Sequence, residues 1–275
     1  TMPMEITGYA DVVLPECTYL ERYDYCRTDQ HRQPSIAMRM PATEPKYNSK
    51  PSWWMVKELA KRMGLEEYFK WNTIEELLDW QLQQVGTSLE EMKKIGVKNF
   101  PRTDDYLYSG DGEDIEFNTN TGKIELYSTE LQNEGFDPMP VYTPHPEPQP
   151  GYYRLNYGRN PAHTFSRTAN NPNLTDLLDE NTLWVNPIVA REWGLAEGRQ
   201  IWLENQDGIL STFSIKVRIT ERIRHDSVYM VHGFGHTDKR LSRSYGKGIS
   251  DTELITNVMV DPIMGSGWSA PDRFE

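Results

Sequence analysis

Six of the fifteen residues from Asp137 to Gly151 are proline (Pro138, Pro140, Pro144, Pro146, Pro148 and Pro150), and no other feature restricts this chain as strongly. Proline fixes φ and lacks an amide hydrogen, so neither a helix nor a central strand can run through such a stretch. The connector therefore divides the 275 residues into two regions, residues 1–145 and residues 150–275.

Upstream of the connector, Ala10-Asp11-Val12-Val13-Leu14 is a short apolar run closed by Pro15. It reads as an interior strand of a parallel sheet, apolar on both faces because helices cover both sides. Ligands in such sheets sit beyond the carboxyl ends of strands. The segment from Glu16 to Gln33, dense in Glu, Asp and Arg and containing His31, is placed there; a solvated loop is the other reading.

Three helices are then expected. The first starts near Pro51, turns Val56, Leu59, Ala60 and Met63 to one face and stops at Gly64. The second and third open on capping boxes, Thr73 with Glu76 and Ser88 with Glu91. They bury Ile74, Leu77 and Leu78, and Leu89, Met92 and Ile95, with Gly96 as the last stop. Trp53, Trp54, Trp71 and Trp80 are read as packing residues, Asn99 to Gly112 as a loop, and Lys123 to Tyr127 as a short strand.

Downstream, short strands alternate with turns. Thr182 to Val185 leads through Asn186-Pro187 into a helix that ends at Gly194. Ile201 and Leu203, the turn Asp207-Gly208, and then Phe213, Ile215, Val217 and Ile219 have the alternation of a hairpin. Val228 to Val231 is a further buried strand. This pattern points to a β-barrel domain with one or two helices.

The net charge of −12 excludes the basic face that nucleic acid requires. No run of about 18 apolar residues suggests a membrane-spanning helix. Thr1 to Glu5 has neither a basic nor an apolar leader region, so no signal peptide is expected, and a strand pattern so near the start suggests a piece of something larger. Cys17 and Cys26 fit no zinc or iron–sulfur spacing and are expected to be ordinary thiols.

Two clusters can carry chemistry. Gly158 to Asn171 joins Arg159, Asn160, His163, Thr164, Ser166 and Arg167 in a loop after a strand, with no Lys, Glu or Asp. Such a loop can contact phosphate oxygens and the edge of a heterocycle. The second, His232-Gly233-Phe234-Gly235-His236, follows a buried strand; its glycines allow close backbone approach and its histidines can donate. It is not a dinucleotide fingerprint, and a metal site is disfavoured because histidines four apart share a face on a helix, not in a loop. A local basic stretch, Lys239, Arg240, Arg243 and Lys247, comes next, and Asn257 with Asp261-Pro262 and Gly265 forms a weaker third signal. Neither Ser-His-Asp order nor a Walker loop occurs. The residues alone imply a polar, anionic ligand and name no reaction.

In this order, Tyr9 to Pro15 with Thr18 to Glu21, Thr121 to Tyr127, Gly158 to Asn171, Leu183 to Pro187 with Ala190 and Gly194, and Asn257 with Asp261-Pro262 resemble the dimethyl sulfoxide reductase family of molybdopterin oxidoreductases. The resemblance covers nearly the whole chain, as the C-terminal part of a catalytic subunit. His163-Thr164 and His232 to His236 are most similar to the polysulfide and thiosulfate reductase-like branch; the arsenate reductase and formate dehydrogenase branches and a non-catalytic structural relative stay open.

That resemblance implies an α/β plus β architecture. Residues 1–145 would be the end of a parallel-sheet α/β domain with a helical excursion, and residues 150–275 a six-stranded double-psi β-barrel. The implied cofactor is bis(molybdopterin guanine dinucleotide) with molybdenum or tungsten, held by Gly158, Arg159, Asn160, His163, Thr164, Ser166, Arg167, His232, Gly233, Phe234, His236 and Asn257. Implied partners are the upstream half of the same subunit, with its 4Fe–4S cluster, an iron–sulfur electron-transfer subunit and a membrane anchor. The setting implied is the periplasm or the outer face of a membrane, with the cytoplasm as the other option. The metal-ligating residue would lie upstream, and neither Cys17 nor Cys26 matches it, so the catalytic residues are not assigned and this part is expected to be inactive alone.

Overall fold

The computed structural model describes every residue except 30–32, 102–116, 140, 143–146, 257, 261–266 and 270–275, and only the backbone of 258–260 and 267–269. Two compact units form: one takes in residues 12–141, the other residues 2–11 together with 142–275.

In the first unit, β1 (Arg27–Asp29), β2 (Ser35–Ala37), α1 (Ser52–Arg62), α2 (Ile74–Gln83), α3 (Leu89–Ile95), β3 (Val97–Asn99) and α4 (Thr129–Asn133) follow one another. The two expected caps are present. Thr73 Oγ1 accepts from the Glu76 amide and Ser88 Oγ from the Glu91 amide, each at 3.2 Å. These bonds satisfy amides that would otherwise lack partners at a helix start. Glu76 closes the box one residue early, accepting from the Asn72 amide at 2.7 Å. Asp79 Oδ1 accepts from the Leu89 amide at 2.8 Å, so α2 fixes the start of α3. Leu78, Leu82, Leu89 and Met92 pack on Ile36 of the antiparallel β1-β2-β3 sheet and on Met38 just past β2.

Several expectations for this unit are corrected. Ala10 to Leu14 is no strand: Val12, Val13 and Leu14 are more than half exposed, and the only ladder contact nearby is a single Glu16–Lys50 bridge. An apolar run becomes a strand only when a neighbour pairs its amides and carbonyls, and no described strand lies beside this one. The described sheet of this unit is antiparallel, not parallel. Lys123 to Tyr127 is bends and irregular backbone, not a strand, with Ile124 and Leu126 exposed. Of the expected α1 face only Ala60 is buried, while Val56, Leu59 and Met63 are exposed, as is Ile95 of α3. None of the four tryptophans is buried; Trp71 and Trp80 tilt against each other at 5.0 Å.

The second unit is built from β4 (Arg154–Gly158), α5 (Pro172–Thr175), β5 (Thr182–Val185), α6 (Pro187–Glu192), β6 (Gln200–Ile201), β7 (Ile215–Ile219) and β8 (Ser227–Val231), with β9 (Val258–Val260) and β10 (Gly267–Ser269) paired to each other. Its sheet has the order β4-β8-β5-β7-β6. β4 runs parallel to β8 and β5 parallel to β7, whereas β8 meets β5, and β7 meets β6, antiparallel. The described strands form an open sheet of five, ending on β6, which is two residues long, rather than the closed six-stranded barrel the resemblance implies.

Period-two alternation decides the core. Leu183 and Val185 of β5 and Ile215 and Val217 of β7 face inward against Val189, Ala190 and Met230, while Lys216 and Arg218 face out. Each of these large aliphatic side chains contributes about 1.5–3 kcal/mol by leaving water. Asn186 Oδ1 caps α6 on the Ile188 amide at 2.9 Å, with Pro187 in the first helical position.

Candidate functional site

Because β4 and β8 are parallel, both loops that carry the candidate residues leave the sheet at the same end. Gly158 pairs with Val231, and the His232 amide donates to the Gly158 carbonyl at 3.0 Å. The carboxyl ends of parallel strands are where such sheets receive ligands.

The first loop is shaped from inside. Asn160 Oδ1 accepts from the Ala162 amide at 2.8 Å. His163 is 8% exposed, with Nε2 2.6 Å from the Leu178 carbonyl and Nδ1 3.2 Å from Thr168 Oγ1. A carbonyl only accepts, so Nε2 carries the hydrogen and Nδ1 accepts from the Thr168 hydroxyl. Thr168 Oγ1 in turn accepts from the Thr164 amide at 2.9 Å. Both nitrogens of His163 are thus engaged within the chain: it holds the loop and has none left for a ligand. The side chains of Arg159, Thr164, Ser166 and Arg167 are exposed and make no hydrogen bond in that network.

Phe165 turns the loop through a left-handed backbone (φ 51). The Arg159 guanidinium lies 4.4 Å from the Phe165 ring centre, that ring is 5.0 Å from His232, and His232 stacks on Tyr157 at 6.3 Å. A cation, a phenyl ring, an imidazole and a phenol therefore form one row along the end of the sheet.

The second loop closes against the first. Gly233 has φ 90, and a Cβ there would stand 2.6 Å from the Phe165 carbonyl carbon and oxygen and 2.9 Å from the Ser166 amide nitrogen. Phe234 is buried and meets the His163 ring edge-on at 5.4 Å, so it packs and is shielded from solvent. The two sequence clusters come together at one end of the sheet.

Three unmet polar groups lie beneath it. His232 Nε2 and both ring nitrogens of His236 are buried with no hydrogen-bond partner among the described residues. Burial pushes the His236 pKa down, against the opposing charge of Glu5, whose Oε2 is 3.8 Å from Nδ1. Asp251, 2% exposed, is pushed up by burial, while the His232 charge and the Gly233 amide act in the other direction.

Sequence reasoning missed Asp251, Glu5 and Asn181. Asn181 is 1% exposed; its Nδ2 donates to the Val231 and Ile249 carbonyls at 2.6 and 2.9 Å, and its Oδ1 accepts from the Ile249 amide at 3.0 Å. It ties the end of β8 to Ile249. A lone asparagine and a lone aspartate carry no local pattern that could have marked them.

The basic stretch is partly neutralised: Arg240 pairs with Asp238 at 2.7 Å and Lys247 with Asp179 at 3.4 Å. In the Glu16–Gln33 segment Arg22 bonds Glu16, Asp24 and the Cys17 carbonyl, and Asp24 also pairs with Arg39. The Thr18 and Lys46 amides and the Thr18 hydroxyl hold the Glu21 carboxyl below the usual range, the Thr18 amide most. His31, Arg32, Asn257, Asp261, Pro262 and Gly265 lie outside the described residues. Cys17 and Cys26 are free thiols, and no group of three metal-ligating side chains occurs among the described residues. No described helix is long and apolar enough to cross a membrane.

A cavity of about 620 Å³ opens elsewhere in this unit, against Leu155, Leu183, Val185, Val189, Leu203 and Val228. Tyr152, Tyr153, Glu204, Asn205 and Gln206 also line it, and no lysine or arginine faces it.

Residues 153–267, which contain the β4–β8 end, match the family model described as molydopterin dinucleotide binding domain, and residues 5–62 match molybdopterin oxidoreductase. The chain belongs to the molybdopterin oxidoreductase family. Among its relatives, the thiosulfate reductase molybdopterin-containing subunit PhsA of Salmonella typhimurium is 30% identical over 284 residues, covering 95% of this chain and 37% of that protein. Acetylene hydratase of Syntrophotalea acetylenica is 30% identical over 210 residues (73% of this chain, 28% of that protein). Dimethyl sulfoxide reductase DmsA of Escherichia coli is 26% identical over 255 residues (82% and 31%). The solved acetylene hydratase from Pelobacter acetylenicus shares the fold, with a TM-score of 0.73 and 24% identity over 94% of this chain and 36% of that one. The chain thus spans about a third of the length of the relatives it matches.

The residues present fit a pterin dinucleotide. Its phosphates and hydroxyls call for the exposed guanidiniums of Arg159 and Arg167 and the hydroxyls of Thr164 and Ser166. A buried polar atom left unpaired costs about 1–3 kcal/mol, and a heterocycle edge, which offers both donors and acceptors, would relieve that at His232 Nε2.

Proposed function

We propose that this chain is the cofactor-holding C-terminal part of a catalytic subunit that carries bis(molybdopterin guanine dinucleotide) with molybdenum or tungsten, and that the enzyme reduces or oxidises a sulfur compound such as polysulfide or thiosulfate. The observation that carries the reading is the fusion of Gly158–Arg167 and His232–His236 at one end of the β4–β8 pair, inside the segment matched as a dinucleotide-binding domain. The similarity to a thiosulfate reductase subunit supports the substrate class.

In this reading residues 1–145 complete an α/β domain, and the five-stranded sheet of residues 150–275 is the framework of a double-psi β-barrel. Arg159 and Arg167 hold phosphate oxygens, while Asn160, Thr164 and Ser166 line the groove between loop and ligand. His232 donates to a heterocycle edge, and Gly233 lets the backbone approach. Asn257, by resemblance, reaches a pterin. The bound group supplies two-electron chemistry with oxygen- or sulfur-atom transfer; these residues bind it, orient it and keep water from its face. Partners in the same proposal are the upstream half of the subunit with a 4Fe–4S cluster, an iron–sulfur electron-transfer subunit and a membrane anchor, on the outer face of the membrane.

The test is Arg159→Ala in the native subunit. Loss of a charge-assisted donor should lower molybdenum or tungsten and pterin content together. Unchanged content would remove Arg159 from the site, and a native enzyme with neither metal nor pterin would overturn the reading. Dye-linked assays with thiosulfate and polysulfide test the substrate; inactivity of the metal-loaded enzyme on both would overturn that part.

A further inference from the structure

Residues 2–11 belong by sequence with the stretch matched as molybdopterin oxidoreductase, which begins at residue 5, but in space with the unit that holds the dinucleotide-binding domain. They meet it at Glu5 and at Gly8. Glu5 Oε1 accepts from the Thr237 amide and, at 3.1 Å, from the Thr237 hydroxyl, across 232 residues of chain. Its Oε2 stands 3.8 Å from Nδ1 of buried His236. The segment is stiff at this point: the Met4 amide donates to Thr7 Oγ1 at 3.1 Å and the Thr7 amide to the Met4 carbonyl at 3.0 Å, around the short helix Glu5–Gly8. Gly8 then lies so close that a Cβ would stand 2.8 Å from Asp238 Oδ2, with Arg240 Nη2 nearer still.

We infer that residues 2–11 form a strap that holds the His232–Arg240 loop in its ligand-binding shape, with Glu5 as the positioning residue. The physical need is plain. Gly233 and Gly235 both have positive φ, and a loop with that freedom loses much entropy when fixed. The β8 pairing anchors its start at the His232 amide, and the Lys247 carbonyl accepts from the Gly235 amide at 3.0 Å. Past His236, the Glu5 carboxylate fixes Thr237 by two bonds, and the Arg240–Asp238 pair seats on Gly8. Glu5 acts through Thr237 and His236 and touches no ligand itself.

The inference deepens the proposed cofactor site and rests on it. It is tested on the native holoenzyme by the rate of pterin release after dilution and by hydrogen exchange of amides 233–240. Glu5→Ala should speed release about tenfold, the scale of one lost bond to a charged acceptor. Glu5→Gln keeps one oxygen that can accept both Thr237 bonds and should return release to within about twofold of the parent, a rescue that a merely structural role would not produce. If Glu5→Ala does not fold, Gly8→Val reaches the same loop by crowding Asp238 and should also speed release. Release and exchange at the parent's rates in both Glu5→Ala and Gly8→Val, or no rescue by Gln, would overturn the strap. A parent enzyme without pterin would overturn the cofactor reading instead, and faster exchange of 233–240 in Glu5→Ala would then still establish the strap.

Discussion

Gly233 and Phe165 approach so closely that any side chain at position 233 would sit on the Phe165 carbonyl: the Cβ of an alanine would lie 2.6 Å from its carbon and oxygen. One residue has φ 90 and the other φ 51, so each loop depends on the other's unusual backbone. Gly233→Ala adds strain at φ and a clash with backbone that cannot rotate away. The expected loss is about 2–5 kcal/mol, read as a lower melting temperature with reduced pterin content. A variant as stable as the parent would mean that the two loops are not in contact.

Asn181→Ala removes three hydrogen bonds inside the core and leaves the Val231 and Ile249 carbonyls and the Ile249 amide unpaired. A loss of about 3 kcal/mol or more is expected by chemical denaturation, since each stranded buried group costs about 1–3 kcal/mol. Asn181→Asp should fare little better, because its carboxylate cannot donate to two carbonyls.

His236 supplies a pH dependence. Its folded pKa lies below the ordinary value of 6.5 because burial disfavours the charged ring. Folding therefore excludes a proton that the unfolded chain binds, so the stabilising effect is complete above 6.5 and is lost as pH falls through the folded pKa. Denaturation midpoints should drop on the acid side with a slope of up to about 1.4 kcal/mol per pH unit from this group. His236→Leu should flatten that slope; an unchanged slope would assign it elsewhere.

Thr73→Ala tests the local end of the scale. It removes the acceptor for the Glu76 amide at the start of α2, and about 1 kcal/mol should be lost from the first unit, seen as faster exchange of the α2 amides.

What the sequence revealed follows the range of the interaction. Thr73 and Ser88 cap helices through bonds three residues long, so their spacing alone was enough. The inward alternation of Leu183 and Val185, and of Ile215 and Val217, was legible because strand geometry has a fixed period. Ala10 to Leu14 misled because apolar composition does not say whether a neighbouring strand is there to pair with it. His163 is a residue of the right type whose two nitrogens turned out to be committed to Leu178 and Thr168. Glu5 and Asp251 were invisible because their partners, Thr237 and Gly233, are distant or unpatterned in sequence.

The parallel register that sets Arg154 beside Ser227 also orders events in time. Everything between those residues must be made and gathered before β4 has a neighbour, and closing so long a loop is among the slow steps of folding. The hairpin of β6 and β7 and the cap of α6 can form early from nearby residues; the contact of Phe165 with Arg159 and His232 cannot. A newly made chain is therefore unable to receive a dinucleotide until its sheet is complete, and cofactor insertion becomes a report that folding has finished.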